Sequence, residues 1–130
     1  MDSVSNPKEW LKRAKANLKL GRMASYVDLE DIAIEDLCFN LQQSTEKALK
    51  ALLVYYNIDF PKTHDIADLI KLLKKNTTIE ISESIKRAAE LTPYAVITRY
   101  LHWSAVVQED YDEALEVAEN VYDWVEEQIK

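Results

Sequence analysis

From Ile32 to Asn57 the chain runs without a glycine or a proline. Over that stretch Ile34, Leu37, Cys38, Leu41, Thr45, Ala48, Leu49, Leu52, Tyr55 and Tyr56 recur at steps of three and four. That period is one face of an α-helix and does not fit a strand, whose side chains alternate. The stripe is broad enough to meet two other helices, so this segment is expected to be central. The scarcity of breakers extends to the whole chain, with one glycine and three prolines in 130 residues. Sheets need turns, and turns draw on Gly, Pro and Asn-Gly pairs. Abundant Ala, Leu, Glu and Lys point the same way, toward helices. The length suits a single domain, 1–130. An apolar content of 48% is too high for a disordered chain.

The other elements follow from their ends. Asn6 is a capping residue and Pro7 fits a first helical position, where its missing N–H costs nothing. Trp10, Leu11, Ala14, Leu18 and Gly21 then recur with helical spacing to about Met23. Residues 24–31 break the pattern, and Asp28 or Asp31 is a candidate cap for the central helix. Residues 57–63 form a connection, since Pro61 biases Phe60 away from helix. Thr63 is expected to cap a third helix from His64 to about Lys75, with Ile66, Leu69, Ile70 and Leu73 along one face. Ser82 starts a fourth element, which Thr92-Pro93 divides into about 82–91 and 93–102. A last helix spans about Asp110 to Gln128, with Tyr111, Ala114, Leu115, Ala118, Val121, Tyr122 and Val125 in register. Five helical stretches joined by short links describe an all-α, up-and-down bundle.

The net charge of -7 argues against a dedicated nucleic-acid binder, which is usually basic. The charge is unevenly placed. Residues 1–22 carry six cations against two acids, and residues 109–130 carry nine acids against Lys130. Such segments can be neighbours within a bundle, or the acidic one can face a basic partner. Cys38 stands alone between Leu37 and Phe39 and reads as a small hydrophobe rather than a metal ligand. With no signal peptide and no apolar run near ~20 residues, a cytoplasmic location away from membrane is expected.

Two segments ask for more than packing. In Gln42 to Leu53, the residues Gln43, Glu46, Lys47 and Lys50 step along the side opposite Leu41, Ala48 and Leu52. One reading is a solvated face with Glu46-to-Lys50 support of about 0.3–0.5 kcal/mol. In Lys62 to Ile66, a histidine in the first turn of a helix opposes the positive end of the dipole. His64 is then either a neutral ring bonded locally or a polar contact reaching the central helix. No HxxxH or HExxH spacing supports a metal site.

The order of QQSTEKALKALL, then KTHDI, then LTPYAVITRY resembles the HEPN family of small bacterial and archaeal helical domains, from Trp10 to the last helix. Gln43, Glu46, Lys47 and Lys50, then Thr63-His64-Asp65, then Tyr94, Arg99 and Tyr100 carry the resemblance. It implies a four-helix up-and-down bundle with an additional shorter helix, generally a homodimer and without a cofactor. Members often pair with a minimal nucleotidyltransferase in a toxin–antitoxin-like couple, and a nucleotide-binding role is attached to the family. Many are metal-independent ribonucleases whose motif is an Arg followed four to six residues later by a His.

This chain departs from that motif. Only two residues separate Arg99 from His102, Trp103-Ser104 follows where the family places a Tyr, and Leu101 stands where Arg-Tyr-Pro is common. The resemblance therefore implies a module that binds a nucleotidyltransferase partner, a nucleotide or both, with the nuclease motif broken. Its nucleotide or RNA contacts would be Gln43, Lys47, Lys50, His64, Tyr94, Arg99 and Tyr100.

Two alternatives stay open. In a ribonuclease, His102 would shuttle the proton, Arg99 would clamp the phosphate bidentately with Lys47 or Lys50 adding charge, and Tyr94 and Tyr100 would stack on bases. In a purely structural interaction module, Arg99 would pair with Glu46 and the acidic last helix would bind a basic surface.

Overall fold

The computed structural model describes residues 6–23, 33–95 and 106–130. Among these the chain is all-helical. The helices are α1 (Pro7–Gly21), α2 (Ile34–Tyr55), α3 (Ile66–Asn76), α4 (Glu83–Lys86) and α5 (Gln108–Ile129). A 3-10 segment, Arg87–Ala95, continues directly from α4. Four helices make the up-and-down bundle, and α4 is the additional short one.

The first helix begins as its sequence dictates. The Asn6 side chain accepts from the Lys8 backbone N–H at 2.9 Å, and Pro7 opens the first turn. α2 is the spine. Leu37, Cys38, Leu41, Ala48, Leu49, Ala51, Leu52 and Leu53 are all buried, and α1, α3, α5 and the 3-10 segment each pack on this helix. The expected caps Asp28 and Asp31 fall outside the described residues; Ala33 holds the cap position without a side-chain bond. Tyr55 ends the stripe exposed rather than buried.

Trp10 lies beside Lys50 and Gly21 beside Leu41, so α1 and α2 run antiparallel. Their close approach at the far end is what Gly21 allows. A Cβ there would stand 2.5 Å from Leu41 Cδ2 and 3.3 Å from the Leu37 carbonyl oxygen. α5 is tied to the same corner, since the buried Tyr111 hydroxyl donates to the Gly21 carbonyl at 2.7 Å.

Two boundaries differ from the sequence expectation. The third helix starts at Ile66, not His64. Asp65 is its cap and accepts from the Ala67 N–H at 3.0 Å, while the Thr63 hydroxyl accepts from the Asp65 N–H at 3.0 Å. Thr63 therefore shapes the turn before the cap, and His64 lies outside the helix and its dipole. Up to Ala95 the fourth element is α-helical only as far as Lys86, and residues 96–102 of the expected second piece lie outside the described residues. Ser82 caps α4 as expected, but after Lys86 the chain tightens into a 3-10 path that passes through Pro93. Proline removes a donor and disfavours α geometry at Thr92, which an α-helix across this point would need. Thr92 instead turns its hydroxyl to the Ile66 N–H at 3.0 Å and pins the segment to the start of α3.

Candidate functional site

The polar side of α2 is not a solvated face. Glu46 is 3% exposed, Lys50 9% and Gln42 0%. They succeed one another at four-residue steps, so their side chains meet on one side of the helix. Lys50 Nζ lies 2.9 Å from Glu46 Oε2, and Gln42 Nε2 donates to Glu46 Oε1 at 3.0 Å. His64 closes the cluster from the loop before α3, with Nδ1 2.9 Å from Glu46 Oε1. Its backbone carbonyl accepts from Gln42 Nε2 at 3.4 Å. Burial alone would push the Glu46 carboxyl upward. The hydrogen bonds from Lys50, Gln42 and His64, with the Lys50 charge, outweigh that and hold it below its usual range.

The Lys50 ammonium does a second thing. It stands 5.6 Å from the ring centres of both Trp10 and Phe60, within reach of a cation–π attraction to each. Those two rings meet edge to face, with centroids 6.3 Å apart. They flank a cleft of about 630 Å³ between the start of α1, the end of α2 and the loop that follows. Val54, Ile58 and Pro61 add apolar wall, and Asn57, Asp59 and Lys62 supply polar groups. Asn57 sits at φ 58°, in the left-handed region that asparagine tolerates better than most residues, and there the chain turns out of α2 into the cleft loop. A mostly apolar concavity of this size with a few polar groups is the usual form of a small-molecule site.

The residues expected to bind nucleotide or RNA are thus only partly together. Lys50 reaches the cleft and His64 reaches the same carboxylate. Gln43 backs the cluster, donating to Gln42 Oε1 at 2.7 Å. Lys47 faces α1 instead, where its ammonium donates to Asn17 Oδ1 at 2.8 Å. Tyr94 lies on the 3-10 segment beside a small depression shared with Glu90, Asp110 and Glu113, which has no lining residue in common with the cleft. Arg99, Tyr100 and His102 lie outside the described residues, as does the suggested pairing of Arg99 with Glu46. Within them, Glu46 is engaged by Lys50, Gln42 and His64.

Sequence reasoning missed Gln42, Trp10 and Phe60 as parts of the site. The four-residue spacing of Gln42, Glu46 and Lys50 was a usable signal for the first. The aromatics left none, because Trp10 falls on the core stripe of α1 and Phe60 in a loop.

A family model for the HEPN domain matches residues 7–128. The chain belongs to the HEPN family. Its fold is similar to the crystal structure of an archaeal HEPN homologue, at 26% identity and a TM-score of 0.73, covering 96% of this chain and 98% of that one. No curated protein sequence matches it. No helix among the described residues of this HEPN domain is long and apolar enough to cross a membrane. Nor do those residues contain a group of three His, Cys, Asp or Glu side chains that could hold a metal ion.

Proposed function

We propose that this HEPN domain is a nucleotide-binding module that acts as a homodimer beside a minimal nucleotidyltransferase, in a toxin–antitoxin-like pair. The observation that carries the reading is the cleft walled by Trp10 and Phe60, with Lys50 held at its edge. A nucleobase is a planar apolar disc with polar edges. Stacking on an aromatic wall is worth about 1–3 kcal/mol per base by alanine substitution. Asn57 and Asp59 on the lining offer an amide and a carboxylate to the edge of such a ring. Membership of the HEPN family supports the partner half of the reading.

Titration calorimetry with nucleoside monophosphates tests the cleft. Binding that weakens in Trp10→Ala supports it, and binding indifferent to that change removes it. Co-expression with a nucleotidyltransferase encoded beside this chain tests the pairing. Failure to co-purify removes the partner half and leaves the cleft half standing.

A further inference from the structure

The first and last helices carry opposite charges in the same rhythm. On α1, Lys8, Lys12, Lys15 and Lys19 follow one another at steps of four, three and four. On α5, Asp112, Glu116, Glu119 and Asp123 repeat those steps. Such spacing lays each set along one face of its helix, as a stripe about 16 Å long. All of these residues are exposed except Glu119, which is half-buried. The stripes border one groove. α5 starts at the Gly21 corner, where α1 ends, and packs along α2 in the opposite direction to α1. Arg22 stands one turn beyond Lys19, and its guanidinium lies 3.9 Å from Glu119. Leu11 is one turn from Lys8 and from Lys15, and Leu115 is one turn from Asp112 and from Glu119. Both leucines are half-buried against the core, so each stripe has an apolar inner edge. Among the described residues none of the four lysine ammonium groups makes an ion pair.

We infer that this face of α1 and α5 docks a second copy of the chain, with α1 of each protomer against α5 of the other. This rests on the homodimer reading above and names its surface. Charge selects the occupant. The face carries a cationic and an anionic stripe side by side, so a uniformly basic or uniformly acidic partner meets repulsion from half of it. A second copy offers both signs in the same layout, which is the self-complementarity that a closed two-fold pair requires. Charge also selects the axis. A two-fold axis parallel to the helices sets lysines over acids on both of its sides. An axis across the helices sets lysines over lysines and acids over acids, an arrangement that is penalised. Exposed ion pairs are individually weak, so the stripes choose the partner and its orientation. The leucine edges of the groove add apolar burial.

The test is a charge swap read by sedimentation velocity on the full chain. One variant carries Lys12→Glu with Lys15→Glu, and the other carries Glu116→Lys with Asp123→Lys. All four positions are exposed, so neither variant disturbs the core. The expected result is a dimer for the unaltered chain that weakens as salt rises. Its dissociation constant should increase at least about 10-fold in either variant. Mixing the two variants should restore a dimer, because the reversed α1 of one then meets the reversed α5 of the other, and the two unaltered stripes meet on the far side of the axis. A dimer that both variants form as tightly as the unaltered chain overturns this face and leaves the homodimer reading intact. Variants that weaken but do not recover on mixing overturn the pairing of α1 with α5. A chain that stays monomeric removes the homodimer reading and the face with it. If such a monomer loses its nucleotidyltransferase on charge reversal, the face belongs to that partner instead.

Discussion

His64 Nδ1 lies 2.9 Å from Glu46 Oε1, although the histidine side chain is 67% exposed and the carboxylate side chain only 4%. The contact joins the loop before α3 to the middle of the spine. One buried carboxylate thereby fixes the positions of Lys50, Gln42 and His64 together, and through Lys50 the edge of the aromatic cleft. Glu46 is the group on which the shape of the candidate site depends.

Glu46→Ala should destabilise the fold by about 3–5 kcal/mol, because it leaves Lys50 as a buried charge without its partner. Glu46→Gln keeps the shape and should cost less. The pH dependence has a definite sign. The Glu46 carboxyl is held below its ordinary value of 4.5, so its contribution is complete above that pH and is lost as pH falls through the folded-state value. Urea denaturation across the acid range should therefore show wild-type stability falling below about pH 4.5, and a shallower fall in Glu46→Gln. Parallel curves would show that Glu46 is not the titrating group.

Gly21→Ala is expected to destabilise the protein, against the ordinary helix preference of about 1 kcal/mol for alanine over glycine. The new Cβ would stand 2.5 Å from Leu41 Cδ2, and Leu41 is fully buried with little room to retreat. Overpacking of this kind costs about 1–3 kcal/mol. The same movement would strain the Tyr111 bond to the Gly21 carbonyl. Denaturant unfolding measures the change, and a stabilised variant would mean that α1 and α2 separate more easily than their packing implies.

Cys38 should be inert in the native state. Burial, with the Asp110 and Glu35 charges, pushes its thiol up to about 12. Only the thiolate is nucleophilic, so almost none is available near neutral pH. A chromogenic thiol reagent should leave the folded protein unmodified and react fully once denaturant opens the bundle. Rapid labelling without denaturant would mean that α2 is exposed in solution.

The helices were legible because their period is carried by large apolar residues that have one way to be buried. Leu37, Leu41, Ala48 and Leu52 could hardly sit elsewhere, and Asn6-Pro7 and Ser82 announce their helix starts. Where two local choices were nearly equal, tertiary contacts decided. Thr63 and Asp65 are both good caps, and the helix took the second. Glu46 and Lys50 looked solvated because an acid and a lysine four apart are common on exposed helices. Their burial comes from Trp10 across the seam and from Phe60 and His64 in the loops, which no local pattern encodes. For the same reason the cleft was not legible, since its walls are far apart in sequence.

Lys50→Met and Glu46→Gln together should be far less harmful than either charge change alone suggests. Lys50→Met leaves the Glu46 carboxylate with Gln42 and His64 but without a fixed cation, in a position 4% exposed. That single change should destabilise the protein and raise the Glu46 titration. In the double variant no buried charge remains, and methionine can still pack against Trp10 and Phe60 through its sulfur. Removing both partners of a buried pair is often near neutral, whereas removing one is not. A double-mutant cycle read by urea unfolding should therefore give a coupling of about 1–3 kcal/mol. Strict additivity would show that Lys50 and Glu46 are each satisfied by something other than the other, and the cleft edge would then need a different account.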